Sequence, residues 1–225
     1  MRLYHGSSVI VQSPEYGKGS LHNDYGQGFY CTEYIELAKE WACPVARDGF
    51  ANQYELDCSG LRMMDLQAEE YHILNWMALL VKNRTFVKRA PIAKRAAEYI
   101  LREFLPETKG YDVICGYRAD DSYFSYAKDF LNNTITVGQL AAAMKLGKLG
   151  NQVVLVSPEA FSKLTFTGYE VSDAGIYYSK RMQRERRARE AYLESHGLDF
   201  ESGGNDLYVV DLMRKGVRND DACLR

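Results

Sequence analysis

Hydrophobic positions along the chain change period several times, and each change predicts an element. Gln53 to Cys58 alternates apolar and polar residues, the pattern of a half-buried strand. Tyr111 to Cys115 and Asn151 to Ser157 (NQVVLVS) are short apolar runs between turn residues and read as buried strands. Arg2 to Tyr4 reads as a first strand, followed by a polar, glycine-rich loop over Ser7 to Gln27 with a turn at Gly17-Lys18-Gly19. Elsewhere the period lengthens to that of a helix. Leu37, Ala38, Trp41 and Ala42 share one face of a helix predicted from Glu33 to Ala46 and capped by Thr32. Leu66 to Phe104 is predicted helical in two or three pieces, broken at Pro91, and Pro91 to Phe104 is amphipathic. Tyr123, Tyr126, Ala127, Phe130 and Leu131 make the stripe of a helix capped by Ser122. Thr136 and Gln139 fit a capping box, opening a helix with Val137, Leu140, Ala141 and Met144 on one face and stopped by Gly147 and Gly150.

Strands therefore sit at the start, middle and end with helices inserted between them. Regular βαβ alternation is missing, so the pattern favours α+β over a doubly wound sheet. Past Pro158 the character changes to a charged, helix-forming run over Ser179 to Ser195. A soft boundary falls there, dividing a domain over 1–157 from a helical, partly basic extension over 158–225.

Composition narrows the class. With 46% hydrophobic and 26% charged residues the chain is globular. A net charge of −2 gives no global pull toward nucleic acid or a membrane, so any such attraction is local, as in the basic run from Lys180 to Arg189. Five cysteines (Cys31, Cys43, Cys58, Cys115, Cys223) are scattered, odd in number and without metal-ligand spacing. They predict free thiols in a reducing cytoplasm and no metal site. The start carries no signal-peptide pattern and no stretch is long and apolar enough to span a bilayer, so the expectation is a cytoplasmic protein with no membrane partner. No GxGxxG follows a strand and no P-loop occurs.

The chemistry gathers in three phrases: LYHGSS (3–8), YGQGFYCTEYIELAKEWA (25–42) and LGNQVVLVS (149–157). The second sets Gly26 and Gly28 directly before Phe29-Tyr30 and places Trp41 eleven residues after Tyr30. Glycines beside aromatic rings make room for a flat ligand, and tyrosine both stacks on such a ring and bonds its edge. Together the phrases resemble the ADP-ribosyltransferase fold of the diphtheria-toxin and poly-ADP-ribose-polymerase type, whose members carry a His-Tyr-Glu triad on three separated strands. The resemblance covers about residues 1–157 and is nearest to a bacterial family of uncharacterised domains assigned to that superfamily.

The resemblance implies roles residue by residue. His5 would bond the ribose next to adenine, and Gly6, followed by Ser7, would let the nicotinamide lie against bare backbone. Tyr30 would flank the nicotinamide over the turn shaped by Gly26 and Gly28. Trp41 would close a clamp from the other side, with core packing as its alternative role. Ala38 stands where some relatives carry a serine that bonds the carboxamide. The third motif departs from the pattern, because Gln152 stands where the family has its glutamate. Loss of one preorganised electrostatic contact costs roughly 10²–10³ in rate. Three options follow: a slow enzyme, a second carboxylate, or an inactive relative. Asp120 and Asp121, in the loop GYRADDSY, offer such a carboxylate, with Asp120 preferred and helix N-terminal charge as the alternative.

The expectation is thus an α+β protein with a split mixed β-sheet of the ADP-ribosyltransferase type, inserted helices and a C-terminal helical extension. Its implied activity is NAD-dependent mono-ADP-ribosyl transfer, with NAD as co-substrate, onto a protein or nucleic acid. The resemblance further implies a bacterial toxin of a toxin–antitoxin or phage-defence system, with an antitoxin protein as possible partner. The alternatives are an NAD glycohydrolase on the same fold and an inactive module that binds a nucleotide or a partner. RNA 2′-phosphotransferase relatives rank last, because Arg118 is the only arginine near a motif.

Overall fold

The computed structural model describes residues 1–85, 90–119, 121–145, 150–197 and 206–224, the side chains of 121–123 and 195–197 excepted. These residues form seven strands in two small sheets, with eight α-helices, an α+β architecture. One sheet is antiparallel, in the order β1 (Arg2–Ser7), β3 (Gly49–Leu56), β7 (Leu164–Ser172). The other is mixed, in the order β2 (Phe29–Cys31), β6 (Asn151–Leu155), β5 (Val113–Tyr117), β4 (Met63–Asp65), with β4 and β5 parallel. The sheets meet where Tyr4 and Thr32 exchange backbone hydrogen bonds of 2.8 and 2.9 Å.

Strands β5 and β6 are apolar on both faces, and the packing explains why. Val113, Val153 and Leu155 face Leu3, Cys31 and Leu56 in a small core between the sheets. Ile114 and Val154 point the other way, into a larger core. That core is built by helices α2 (Ile73–Asn83), α3 (Pro91–Phe104), α4 (Asp121–Leu131), α5 (Val137–Ala143) and α8 (Val209–Lys215). Pro91 opens α3, where its missing N–H has no intrahelical partner to lose. Thr136 and Gln139 form the predicted capping box at the start of α5. Gly150 has φ +65°, while Gly147 and Asp120 lie outside the described residues.

Several elements differ from the sequence-based expectation: β1 runs on to Ser7, β3 spans Gly49–Leu56 rather than starting at Gln53, and α4 begins at Asp121, so Ser122 lies within it rather than at its cap. Helix α1 spans Ile35–Ala42, shorter than predicted, and Thr32 does not cap it. Thr32 is fully buried with its backbone committed to Tyr4, which leaves Tyr34 at the cap position. The stretch from Gln67 to His72 is turns rather than helix, because Asp65 Oδ1 accepts the Gln67 N–H at 3.0 Å and its carbonyl accepts from Ala68. Beyond Pro158 the chain is not helical throughout. Helix α6 (Pro158–Ser162) leads into β7, a nine-residue strand that pairs along β3. Helix α7 (Ala174–Gly197) then packs on α1, through Arg184 on Glu40 and Lys180 on Glu36. Among the described residues no helix is long and apolar enough to cross a membrane.

Candidate functional site

The turn before β2 is a backbone device. Gly26 has φ +81°, a left-handed conformation that glycine adopts at little cost. The Tyr30 hydroxyl folds back across the turn, donating to the Gly26 carbonyl at 2.7 Å and accepting from the Tyr25 N–H at 3.0 Å. Gly28 has a different reason. A Cβ there would lie 2.6 Å from Val154 Cγ1 and 2.8 Å from the Leu155 carbonyl, so only glycine lets the chain run this close to β6. Tyr25 is buried and donates to the Tyr117 carbonyl at 2.6 Å, in the space left by Gly116 opposite Gln152.

His5 approaches from the other sheet. Its Nδ1 lies 2.7 Å from the Tyr30 carbonyl, which can only accept, so Nδ1 carries the proton and Nε2 is left as an acceptor. The ring rests on Phe29 at 4.5 Å between centroids. Burial lowers the His5 pKa, with the bond to Tyr30 opposing it in part, so the imidazole is neutral near pH 7. From β3, the buried Asn52 accepts the Val11 N–H of the loop after β1 at 2.9 Å and donates to the His5 and Val9 carbonyls, which fixes this corner.

Gln152, in β6, is 94% buried. Its Nε2 donates to Asp24 Oδ2 at 3.3 Å, while its Oε1 has no hydrogen-bond partner among the described residues. Asp24 is itself 5% exposed. Oδ2 accepts the Ala119 N–H at 2.8 Å, and Oδ1 faces Arg84 Nε at 3.4 Å. Burial raises the Asp24 pKa, against the Ala119 bond, Arg84, Arg118 and Gln152, which all favour the charged form. Burial likewise pushes the Tyr30 hydroxyl up, so it stays protonated.

These groups converge on one cavity of about 680 Å³, with His5, Gly28, Tyr30 and Gln152 on its wall. Asp24, Lys18, Arg84, Arg118 and Arg181 line it as well. The other expected site residues lie elsewhere. The bare face of Gly6 meets helix α1, where a Cβ would fall 2.1 Å from the Ala38 carbonyl. Ser7 Oγ accepts the Val9 N–H, and neither Gly6 nor Ser7 lines the cavity. Trp41 is half-buried beside the site, with the Arg118 guanidinium over its ring at 4.3 Å. Asp120 lies outside the described residues, and Asp121 opens α4 with its side chain undescribed.

Sequence reasoning missed Asp24 and two of the arginines. Asp24 stands immediately before the glycine–tyrosine phrase, but its partners are distant: Arg84, Ala119 and Gln152. Arg84 and Arg181 reach the cavity from beyond α2 and from α7, far from any motif. The basic run on α7 is largely engaged in pairing, with Lys180 on Glu36, Arg181 on Glu185, Arg184 on Glu40 and Arg186 on Glu190. Among the described residues no cluster of metal-ligating side chains occurs.

A family model described as "Protein of unknown function (DUF3990)" matches residues 1–166, nearly three-quarters of the chain, so the chain belongs to that family. No curated protein and no solved structure matches it. The matched region ends inside β7, so α7 and its cavity-lining Arg181 lie beyond it.

Proposed function

We propose that this DUF3990 member is an NAD-dependent mono-ADP-ribosyltransferase, with a site formed where its two sheets meet. One observation carries the reading. His5 from β1, Tyr30 from β2 and Gln152 from β6, which share no sequence neighbourhood, face a single cavity of about 680 Å³. That volume lies in the range of small-molecule sites. The arrangement agrees with the triad resemblance and with a split sheet of the ADP-ribosyltransferase type.

The residues present suit such a ligand. Gln152 Oε1 is a buried acceptor without a partner, a natural match for a ribose hydroxyl. With its Nδ1 proton on the Tyr30 carbonyl, His5 offers Nε2 as a second acceptor. Lys18, Arg84, Arg118 and Arg181 favour a phosphorylated ligand. NAD would supply the nicotinamide–ribosyl bond whose cleavage makes the ribosyl carbon electrophilic. The protein's own part is to orient the adenine-side ribose through His5 and the nicotinamide ribose through Gln152, and to wall off bulk water with Tyr30 and the loop carrying Val11 and Pro14. The arginines would also suit an RNA 2′-phosphotransferase. They do not separate the two readings, and transfer from NAD is preferred because His5, Tyr30 and Gln152, the residues of the triad resemblance, line the same cavity.

The test is incubation with adenylate-labelled NAD and whole-cell extract, followed by separate nuclease and protease digestion. The expected result is label in macromolecules with wild type and none with His5→Ala, and the digestion that removes it names the acceptor as nucleic acid or protein. Nicotinamide release without macromolecular label would identify a glycohydrolase. Neither label nor nicotinamide release overturns the reading.

A further inference from the structure

Gln152 is a puzzle for a purely structural strand. It heads the run Gln152-Val153-Val154-Leu155, is nearly fully buried, and leaves Oε1 unpaired. Its orientation is nonetheless not free. A carboxylate only accepts hydrogen bonds, so the Gln152 NH₂ must be the group that faces Asp24 Oδ2, and Oε1 must be the group left over. Asp24 is fixed in turn by the Ala119 N–H and by Arg84, and Asn83 donates to its backbone carbonyl at 3.2 Å. Arg118 and the Tyr25 and Tyr30 hydroxyls complete its charged and titratable surroundings.

We propose that Asp24 is the positioning carboxylate of this site: it locks the Gln152 amide with Oε1 presented to a ligand hydroxyl, and it supplies the negative charge that Gln152 lacks. The activity part of this inference rests on the NAD reading above; the link between the two side chains does not. The pair divides between two residues what a single glutamate would do at position 152. The ligand must therefore offer a hydrogen-bond donor at Oε1, as a ribose hydroxyl does. A further consequence is that Gln152→Glu alone is harmful. It sets a second carboxylate about where Nε2 now lies, 3.3 Å from Asp24 Oδ2, and two carboxylates sharing one site cannot both ionise cheaply. Exchanging the two, in Asp24→Asn with Gln152→Glu, removes the clash of two carboxylates and allows an amide–carboxylate hydrogen bond of reversed polarity, at the cost of the Ala119 N–H bond, because the position of Oδ2 would then carry the amide NH₂.

The experiment is a double-mutant cycle on the full chain: wild type, Asp24→Asn, Gln152→Glu and the double variant. It is read by thermal midpoint and by nicotinamide release from NAD. Gln152→Glu is expected to melt at least about 5 °C lower at neutral pH and to recover in mildly acidic buffer. The double variant should melt well above the sum of the two single effects. Each single variant should release nicotinamide roughly 10²-fold more slowly, and the double variant should return to within about tenfold of wild type, a smaller loss than one missing contact gives. If Asp24→Asn does not fold alone, a folded double variant is the same result. Gln152→Ala leaves Asp24 on Ala119 and Arg84, and unchanged turnover in it would overturn the role of Oε1. Additive midpoints across the cycle overturn the link itself, whether or not NAD is turned over. Coupled midpoints with no nicotinamide release from wild type support the link and count against NAD alone.

Discussion

Helix α7 is joined to α1 by a bidentate pair, and the pair gives a sharp test of whether α7 is part of the site. Arg184 Nε and Nη2 donate to Glu40 Oε2 and Oε1 at 2.8 and 2.7 Å. The Glu40 side chain is 4% exposed and that of Arg184 is 26% exposed. Glu40→Gln keeps shape and one acceptor but removes the charge. Removing one partner of a fully buried pair costs ~3–5 kcal/mol. Arg184 retains a quarter of its surface in water and one hydrogen bond survives, so the cost here is about 2 kcal/mol. At ~2–4 °C per kcal/mol for a chain of this size, the thermal midpoint should fall by about 4–8 °C. Hydrogen exchange should rise first in α7, since the other ion pair described between α7 and α1 is the exposed Lys180–Glu36 contact. Arg181 lies on the same helix and lines the cavity, so affinity for a phosphorylated ligand should drop as α7 loosens. A midpoint within about 1 °C of wild type, with unchanged exchange in α7, would refute the reasoning and return the helix to an accessory role.

Two further outcomes follow. His5→Gln should flatten the acid limb of the stability curve: burial holds the folded-state pKa below the ordinary 6.5, so wild type loses His5-linked stability as pH falls from about 6.5 through the lower folded value. A melting series across that window reads it, and identical slopes in the two proteins would refute it. Gly28→Ala should cost about 1–3 kcal/mol, because the added methyl meets Val154 Cγ1 at 2.6 Å and the Leu155 carbonyl at 2.8 Å; a denaturant midpoint equal to wild type would show that β2 can shift.

Much of the framework was legible because its causes are local. Alternation marked β3, apolar runs marked β5 and β6, Pro91 opened α3, and Thr136 with Gln139 opened α5. What escaped has non-local causes. Strand β7 reads LTFTGYEVS, whose apolar–polar alternation changes phase at Gly168 and which lies largely exposed at a sheet edge. Its pairing with β3, including the irregularity between Gln53 and Tyr54 near Gly168, is set by a partner more than a hundred residues away. Thr32 has the chemistry of an N-cap, yet its backbone is claimed by Tyr4. In the site, His5, Tyr30 and Gln152 stood out through the phrases around them, whereas Asp24, Arg84 and Arg181 are defined by whom they meet in space.

That contrast bears on how the cavity should be understood. A strand flanked by Val153, Val154 and Leu155 has no structural need of a glutamine, and leaving a buried acceptor unpaired costs about 1–3 kcal/mol. A nearly buried carboxylate beside it adds a desolvation cost, offset by Ala119, Arg84 and Gln152. Valine at position 152 and asparagine at position 24 would make a quieter core. Costs of this kind persist where the groups act on something other than the fold. Here both fall on the wall of the same cavity, beside the neutral His5 and the arginines. These two costly choices, Gln152 in β6 and Asp24 in the turn before β2, therefore support the reading of the cavity as the site proposed above, independently of any family resemblance.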